Sequence, residues 1–206
     1  VNLAKPGRRI LVTADTHFLD PEACRRYGRP FPSISAMDDA LVERINATVG
    51  ADDVLLHAGD FAAPAAWNAE SRRATEALRD RIACRRIVLV RGNQDPRKRW
   101  FEALFHEVHE RLSFRFPRPE GGPIRVVVDH YPSRMWRGWI SGAAHLHGHA
   151  HGTLDDEGRS TDVGVDRWEY RPVPLGEMVA VLAARPFAAP SEFRVRPPTP
   201  GPSDGT

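Results

Sequence analysis

Apolar residues along this chain fall into short runs, and most of those runs stop at a polar residue or a glycine. Arg9-Ile10-Leu11-Val12-Thr13-Ala14 reads as a buried strand that ends at Asp15. Asp53-Val54-Leu55-Leu56-His57-Ala58 reads as a second strand ending at Gly59-Asp60, and Arg86-Ile87-Val88-Leu89-Val90 as a third ending at Arg91-Gly92-Asn93. Between the first two, Met37, Leu41, Ile45 and Val49 recur at a helical spacing, which gives one apolar face. Ser35 with Asp38 resembles a capping box at the start of that helix. Pro64 opens a second helical stretch that runs towards Arg81. Phe18 to Ser33, rich in Pro and Arg, reads as a loop.

The second half has a different texture. Leu112 to Phe116 alternates apolar and polar residues, and a Pro- and Gly-rich turn from Pro117 to Pro123 follows. Ile124 to Asp129 is a strand ending at His130, and Ala144 to His147 is one ending at Gly148-His149. Thr161 to Val165 and the region near Val173 read as further strands, and Leu175 to Ala184 as a last helix. The first half is therefore β-α-β-α-β, which favours parallel strands joined by helices. The second half points to antiparallel hairpins. Together they predict a layered α/β domain with two sheets over residues 8–185, followed by a Pro-rich disordered tail at 186–206.

Composition changes this picture little. The chain has 206 residues, enough for one domain with a sizeable core. Its formal net charge is +2, and Lys5 and Lys98 are its lysines, so arginine supplies most of the positive charge. Guanidinium groups suit phosphate recognition, but most of the Arg pairs read as solvated helix surface. Cys24 and Cys84 show no CxxC spacing and read as ordinary thiols in a reducing compartment. No apolar stretch approaches the ~20 residues that span a bilayer. These features predict a cytoplasmic protein with no membrane partner.

The polar residues that end the apolar runs carry the chemistry. Asp15, His17, Asp60, Asn93, His130, His149 and His151 all offer oxygen or imidazole donors, the set that divalent ions prefer. In open α/β sheets functional groups gather beyond the carboxyl ends of strands, where every one of these lies. Asp15 and His17 are two apart and in an extended segment would project to one side; His149 and His151 repeat that geometry. Gly59, Gly92 and Gly148 would let the backbone turn sharply beside the ions.

In order, Asp-x-His, Gly-Asp, Gly-Asn-x-Asp, His and Gly-His-x-His resemble the calcineurin-like metallophosphoesterases, over residues ~10 to 180. The chain is also similar to small single-domain prokaryotic members that begin Asp-Thr-His-Phe. Those carry Arg-Pro-Phe before the first helix (here Arg29-Pro30-Phe31) and Val-Gly-Val-Asp late in the chain (here Val163 to Asp166). The resemblance implies a four-layer αββα sandwich of two mixed sheets flanked by helices. It implies two divalent ions drawn from Mn²⁺, Fe, Zn²⁺ or Mg²⁺. Asp15, His17 and His151 would hold the first ion, Asn93, His130 and His149 the second, and Asp60 would bridge them. A hydroxide between the ions would attack phosphorus in line.

Two positions depart from the family pattern. Gln94 stands where many members have a His that protonates the leaving group. Gln donates a hydrogen bond but transfers no proton at neutral pH. The expected activity is therefore hydrolysis of phosphodiesters in preference to monoesters, with Asp60, Asn93 and Gln94 at the reacting centre. The alternative that Gln94 raises is a low-turnover metal-binding scaffold or protein-interaction module of the same fold. Leu19-Asp20 replaces the Gly-His of close relatives, and Asp20 reads as a solvated turn residue before Pro21, with a loop carboxylate near the site as the alternative.

Arg91 and Arg134 are candidate phosphate contacts, with surface salt bridges as the default reading. Tyr131, Trp136, Trp139 and Trp168 could wall a nucleobase, so the expected substrate class extends to nucleotides and nucleic-acid fragments. His57 reads as a core group or a support to the ligands, His145 and His147 as strand histidines, and His106 and His109 as structural. A nucleic-acid-binding protein that uses its arginines without metal is the remaining rival, and the modest net charge argues against it.

Overall fold

The structure, a computed structural model, describes residues 8–118 and 121–186. Strands β1 (Ile10–Thr13), β2 (Val54–His57) and β3 (Arg86–Val90) run parallel, with β4 (Glu107–His109) parallel to β3 at one edge. At the other edge β9 (Val173–Pro174) pairs antiparallel with β1. Both faces of β1, β2 and β3 are buried, which is why their sequences are near-continuous apolar runs rather than alternating ones. Leu11, Leu55, Ile87 and Leu89 pack against helices α2 (Ile34–Thr48) and α3 (Ala69–Arg81). Ile10, Val12, Val54, Leu56, Val88 and Val90 face the second sheet. Each such side chain, fully buried, contributes ~1.5–3 kcal/mol.

The second sheet has the order β5 (Leu112–Phe116), β6 (Ile124–Val128), β7 (Ala144–His147), β8 (Ser160–Asp162). Only β5 and β6 form the expected antiparallel hairpin; β6–β7 and β7–β8 are parallel. The connections explain the difference. The Pro- and Gly-rich turn after β5 is short, whereas the segments after β6 and β7 run ~a dozen residues or more, the length a parallel crossover requires. Helix α5 (Leu175–Ala184) packs on β1, β9 and β7, and its Leu175, Met178, Val179 and Leu182 complete the core between the sheets.

The architecture is thus two mixed sheets flanked by helices. Over the outer face of the second sheet the covering layer is the 131–143 segment, whose helical content is one 3₁₀ turn, Trp139–Ser141. Trp136 of that segment stacks on His145 of β7 at 4.9 Å.

Local signals moved some boundaries. Ser33 rather than Ser35 caps α2, accepting from the Ala36 amide at 3.1 Å. Asp38 instead reaches back to the Leu19 amide at 3.3 Å. Helix α3 starts not at Pro64 but after Asn68, which forms a reciprocal capping box with Ser71. The 18–33 loop contains a single helical turn, α1 (Ala23–Arg26), and α4 (Arg99–Glu102) is another short turn. Glu107–His109, a polar and short stretch, is nonetheless a strand because it can pair with the β3 edge. Among the described residues no helix is long and apolar enough to cross a membrane. The Pro-rich stretch from 187 onwards lies outside the described residues.

Candidate metal centre

The polar residues after β1, β2 and β7 do not continue the extended strands. Asp15 (φ 57°), His17 (φ 50°), Asp60 (φ 55°), His149 (φ 66°) and His151 (φ 49°) all adopt left-handed backbone, as does Leu19 (φ 64°). So Asp15 and His17, and likewise His149 and His151, are not brought together by strand alternation. Alternate left-handed residues coil each segment into a tight turn that aims both side chains inward. Such conformations cost on the order of 1–3 kcal/mol each in bulky residues, and Asp and His bear them best. Hydrogen bonds compensate: Asp15 N–H donates to Gly59 O at 2.9 Å, His17 N–H to Asp60 O at 3.0 Å and Phe18 N–H to Phe61 O at 3.0 Å. A Cβ on Gly59 (φ 97°) would lie 2.5 Å from His130 Nδ1, and one on Gly148 2.6 Å from Asp15 Oδ2. Only glycine lets the three turns meet.

They meet as two groups. Ligand atoms of Asp15, His17 and His151 lie within 4.8 Å of one another, and so do those of Asp60, His130 and His149. The Asn93 amide oxygen is 2.9 Å from His130 Nε2. All seven residues expected from the sequence are therefore in one place. Three of the four imidazoles have their outer ring nitrogen occupied. His17 Nδ1 bonds Asp20 at 2.9 Å, His151 Nδ1 bonds Asp166 at 2.7 Å and His130 Nδ1 bonds Ala58 O at 2.9 Å. Each bond fixes the ring and leaves Nε2 facing inward, the arrangement seen around ligating histidines. Asp15 Oδ1 and His17 Nε2 are buried with no hydrogen-bond partner. An orphaned buried polar atom costs ~1–3 kcal/mol, which a cation held between these donors would offset. The residues present fit a divalent ion in each group.

Supports that the sequence left without a role hold the first group. Asp20 is buried, not solvated, and orients His17. Arg29 is buried and its guanidinium bonds Asp166 twice, at 2.7 and 2.9 Å, as well as the carbonyls of Asp15 and Thr16. Tyr27 stacks on His151 with ring centroids 3.5 Å apart and meets His17 edge-on at 5.1 Å. The Arg-Pro-Phe and Val-Gly-Val-Asp motifs were the available signal: they supply the two ends of one ion pair.

Asp95 does the same for the second group. Its buried carboxylate accepts from the amides of Asp60 (2.9 Å), Phe61 (2.9 Å) and Gly92 (2.8 Å), pinning the β2 turn to the β3 turn. Burial pushes it up to about 6. Gln94 donates its backbone N–H to Asp60 Oδ1 at 2.8 Å, while its residue is exposed at the surface.

Charge is concentrated here. Burial raises Asp15 well above the usual carboxylate range, and the neighbouring Asp162 and Asp60 add to the effect. Burial works against a charge on His17, but the hydrogen bond to Asp20 and the nearby Asp60 carboxylate outweigh it and lift the ring to about 9. Asp60 is driven the other way: burial opposes its charge, yet the His130 and His17 imidazoles hold it well below the usual range. A cation at this point would take over the work that those imidazole protons do, since ligating histidines must be neutral.

Other sequence candidates land elsewhere. Arg91 is buried and turned into a network with Glu102 (2.7 Å), Glu110 (3.1 Å) and Pro96 O (2.9 Å), so its guanidinium is committed to bracing the β3 turn rather than free for phosphate. Arg134 is exposed on the wall of a cavity that Trp136 and Trp139 also line. His57 bonds Thr16 Oγ1 at 3.0 Å beneath the turn and, through burial, is pushed down to about 3. His145 and His147 lie side by side on β7, their rings 5.4 Å apart, and neither is in a ligand group. His109 bonds Glu107 at 2.9 Å. Tyr131 meets His149 edge-on at 4.6 Å, and Trp168 packs against the inter-sheet core with its indole N–H on Asp162 O, so the four aromatics form no common wall.

The order of these turns matches a known family: residues 8–169 fit the calcineurin-like phosphoesterase domain. The chain belongs to the calcineurin-like phosphoesterase family. It is thereby a metal-dependent phosphoric ester hydrolase. An uncharacterized protein of Methanocaldococcus jannaschii is 25% identical to it over 186 residues, 85% of this chain and 92% of that one. A crystal structure of a protein of unknown function from Aquifex aeolicus superposes with a TM-score of 0.64 at 18% identity, covering 85% of this chain and 100% of that one. That superposition speaks for the shared fold.

Proposed function

We propose that this family member is a two-metal phosphodiesterase in which Asp15, His17 and His151 hold one ion and Asn93, His130 and His149 the other, with Asp60 shared. One observation carries the reading: Asp60 Oδ2 lies 3.5 Å from both His17 Nε2 and His130 Nε2, one carboxylate oxygen between the two groups. The nitrogen and oxygen donors suit Mn²⁺, Fe, Zn²⁺ or Mg²⁺. Bound, such a pair supplies Lewis acidity at phosphoryl oxygens and lowers the pKa of water enough to furnish a nucleophile at neutral pH.

The chain's own residues set the rest. Asp95 and the Gln94 amide fix Asp60 from behind, so its orientation survives the charge changes of a catalytic cycle. The Gln94 side chain, exposed beside Asp60 and Asn93, can donate a hydrogen bond to a phosphoryl or leaving oxygen. It cannot protonate a departing alkoxide, a contribution typically worth ~10²–10⁴ in rate. Monoesters of alkyl alcohols lose most from that, so diesters and activated esters are the favoured substrates. Arg134, exposed on a cavity wall, is the arginine we assign to substrate phosphate. We assign the catalytic domain to residues 8–185 and the site of action to the cytoplasm.

Hydrolysis of bis(p-nitrophenyl) phosphate with added Mn²⁺ tests the reading. Metal-dependent turnover well above an Asp60→Ala control is expected. Turnover no higher than that control would leave the fold as a metal-binding scaffold.

A further inference from the structure

Two cavities adjoin on the outer side of the second sheet, where the covering layer is a loop instead of helices. The first, of about 620 Å³, is lined by Arg134, Trp136, Trp139, His147, Asp155 and Glu157, among others. The second, of about 490 Å³, is lined by Arg115, Arg118, Arg125, Arg137 and Arg159, and among the described residues no carboxylate lines it. Ala143 and Arg159 line both, so the two lie side by side.

Arginines elsewhere in the molecule mostly sit against carboxylates. Arg9, Arg25, Arg29, Arg72, Arg81, Arg85 and Arg91 each do so, as do Arg97, Arg111, Arg167, Arg171 and Arg185. In the second cavity Arg118 bonds the carbonyls of Gly121 and Gly122, and Arg125 bonds Ser113 Oγ. Those partners position the two guanidiniums without neutralising them. Arg115 and Arg137 are exposed. A net charge of +2 over the whole chain thus conceals a local concentration of cationic side chains.

The first cavity has another character. Trp136 is fixed by its indole N–H on Ala143 O at 3.0 Å and by the stack on His145. Asp155 and Glu157 line it with Arg134 and present acceptors that suit base edges beside one guanidinium for a phosphate. His147, on its wall, ends the strand that leads into Gly148-His149, while Ala143, Arg159 and Ser160 stand at the start of β7 and β8, so the cavity runs along these strands towards the end that carries the second ligand group. The arginine cavity includes Ile124, at the opposite end of β6 from His130. At ~3.3 Å per residue the stretch from Ile124 to His130 spans roughly 20 Å.

From this arrangement we infer that the outer face of the second sheet is a binding track for a single-stranded polynucleotide: bases enter the Trp136–Trp139 cavity and the flanking phosphates lie on Arg115, Arg118, Arg125 and Arg137. Aromatic faces joined to a cationic groove are how proteins hold unpaired strands, and a duplex would keep its bases out of reach of the tryptophans. The inference rests on the phosphodiesterase reading and narrows its substrate from diesters in general to nucleic-acid strands.

Fluorescence anisotropy of the full chain with 5′-labelled oligo(dT), in EDTA so that no cleavage occurs, separates strand binding from catalysis. Arg115→Glu with Arg137→Glu changes two exposed positions away from the metal groups. Strand affinity at low salt should fall at least tenfold, and the slope of log affinity against log salt should become shallower by roughly 1.4, about 0.7 for each phosphate no longer neutralised. Trp139→Ala should weaken the strand and leave polyglutamate binding unchanged. Bis(p-nitrophenyl) phosphate, too small to reach Arg137 from the metal groups, should be hydrolysed at the unaltered rate by the double variant. Wild-type affinity in the double variant, or polyglutamate or duplex binding as tight as the strand, would overturn the track. Absence of bis(p-nitrophenyl) phosphate turnover in the wild type itself would strike the phosphodiesterase reading and leave the anisotropy result standing.

Discussion

Arg29 and Asp166, 137 positions apart, meet through paired hydrogen bonds of 2.7 and 2.9 Å. Asp166 extends the link to His151 Nδ1 at 2.7 Å, while the same guanidinium holds the carbonyls of Asp15 and Thr16. One buried cation therefore ties together the turn after β1, the turn after β7 and the segment after β8. It also sets the His151 tautomer that leaves Nε2 for a metal.

Replacing Arg29 with Met should consequently act on metal retention more than on substrate. Removing such an outer support typically weakens metal affinity ~10–100-fold. Deleting one partner of a buried pair also costs ~3–5 kcal/mol of stability. Metal content after dialysis, read by elemental analysis, should fall in Arg29→Met, and excess Mn²⁺ should restore part of the activity. Full metal occupancy in the variant would show that Arg29 does not orient the group.

Gln94 yields a prediction about selectivity. Its backbone N–H, which holds Asp60 Oδ1 at 2.8 Å, is independent of the side chain, and the residue is exposed. Gln94→His should keep the site intact and supply a proton donor. Turnover of an alkyl phosphate monoester should rise by up to ~10²-fold, the lower end of general-acid contributions. Bis(p-nitrophenyl) phosphate should change much less. Equal changes on both substrates would contradict the reading of this position.

His145 yields a prediction in pH. Burial, reinforced by His147 and Arg111, pushes its imidazole down to about 3 from the ordinary 6.5. Between those values the unfolded chain binds the proton and the folded chain does not. The stability it contributes is therefore whole above about pH 6.5 and is lost as pH falls towards 3, by at most ~1.4 kcal/mol per pH unit. Urea unfolding in EDTA should show His145→Gln losing less stability than wild type between pH 7 and 4. Parallel pH profiles would mean that His145 is charged in the folded protein.

Much of this was legible in the chain. The runs ending at Asp15, Asp60, Asn93, His130 and His149 are strands or extensions of strands, because a buried parallel strand must be apolar on both faces and its polar residues are pushed to the ends. The seven donors could be placed for the same reason. What could not be read is longer-range. Parallel pairing of β6, β7 and β8 depends on crossover length more than on strand pattern. The left-handed turns at Asp15 and His17 arise from packing against Gly59 and the β2 turn, not from local preference. Asp20 read as a solvated turn residue because its partner, His17, becomes its neighbour only once the turn coils. Arg91 read as a phosphate contact because Glu102 and Glu110 are distant in a linear view. The gathering of Arg115, Arg118, Arg125, Arg137 and Arg159 comes from four separate segments and has no sequence signature.

Whether Asp60 joins two ion sites into one centre is decided by metal stoichiometry with and without its carboxylate. Titration of metal-free protein with Mn²⁺, followed by calorimetry and by bis(p-nitrophenyl) phosphate turnover, should give two ions per chain, with activity appearing as the second binds. Asp60→Ala should weaken both sites and abolish turnover. One ion per chain at saturation, or an Asp60→Ala variant that binds two ions and turns over like wild type, would contradict a shared carboxylate.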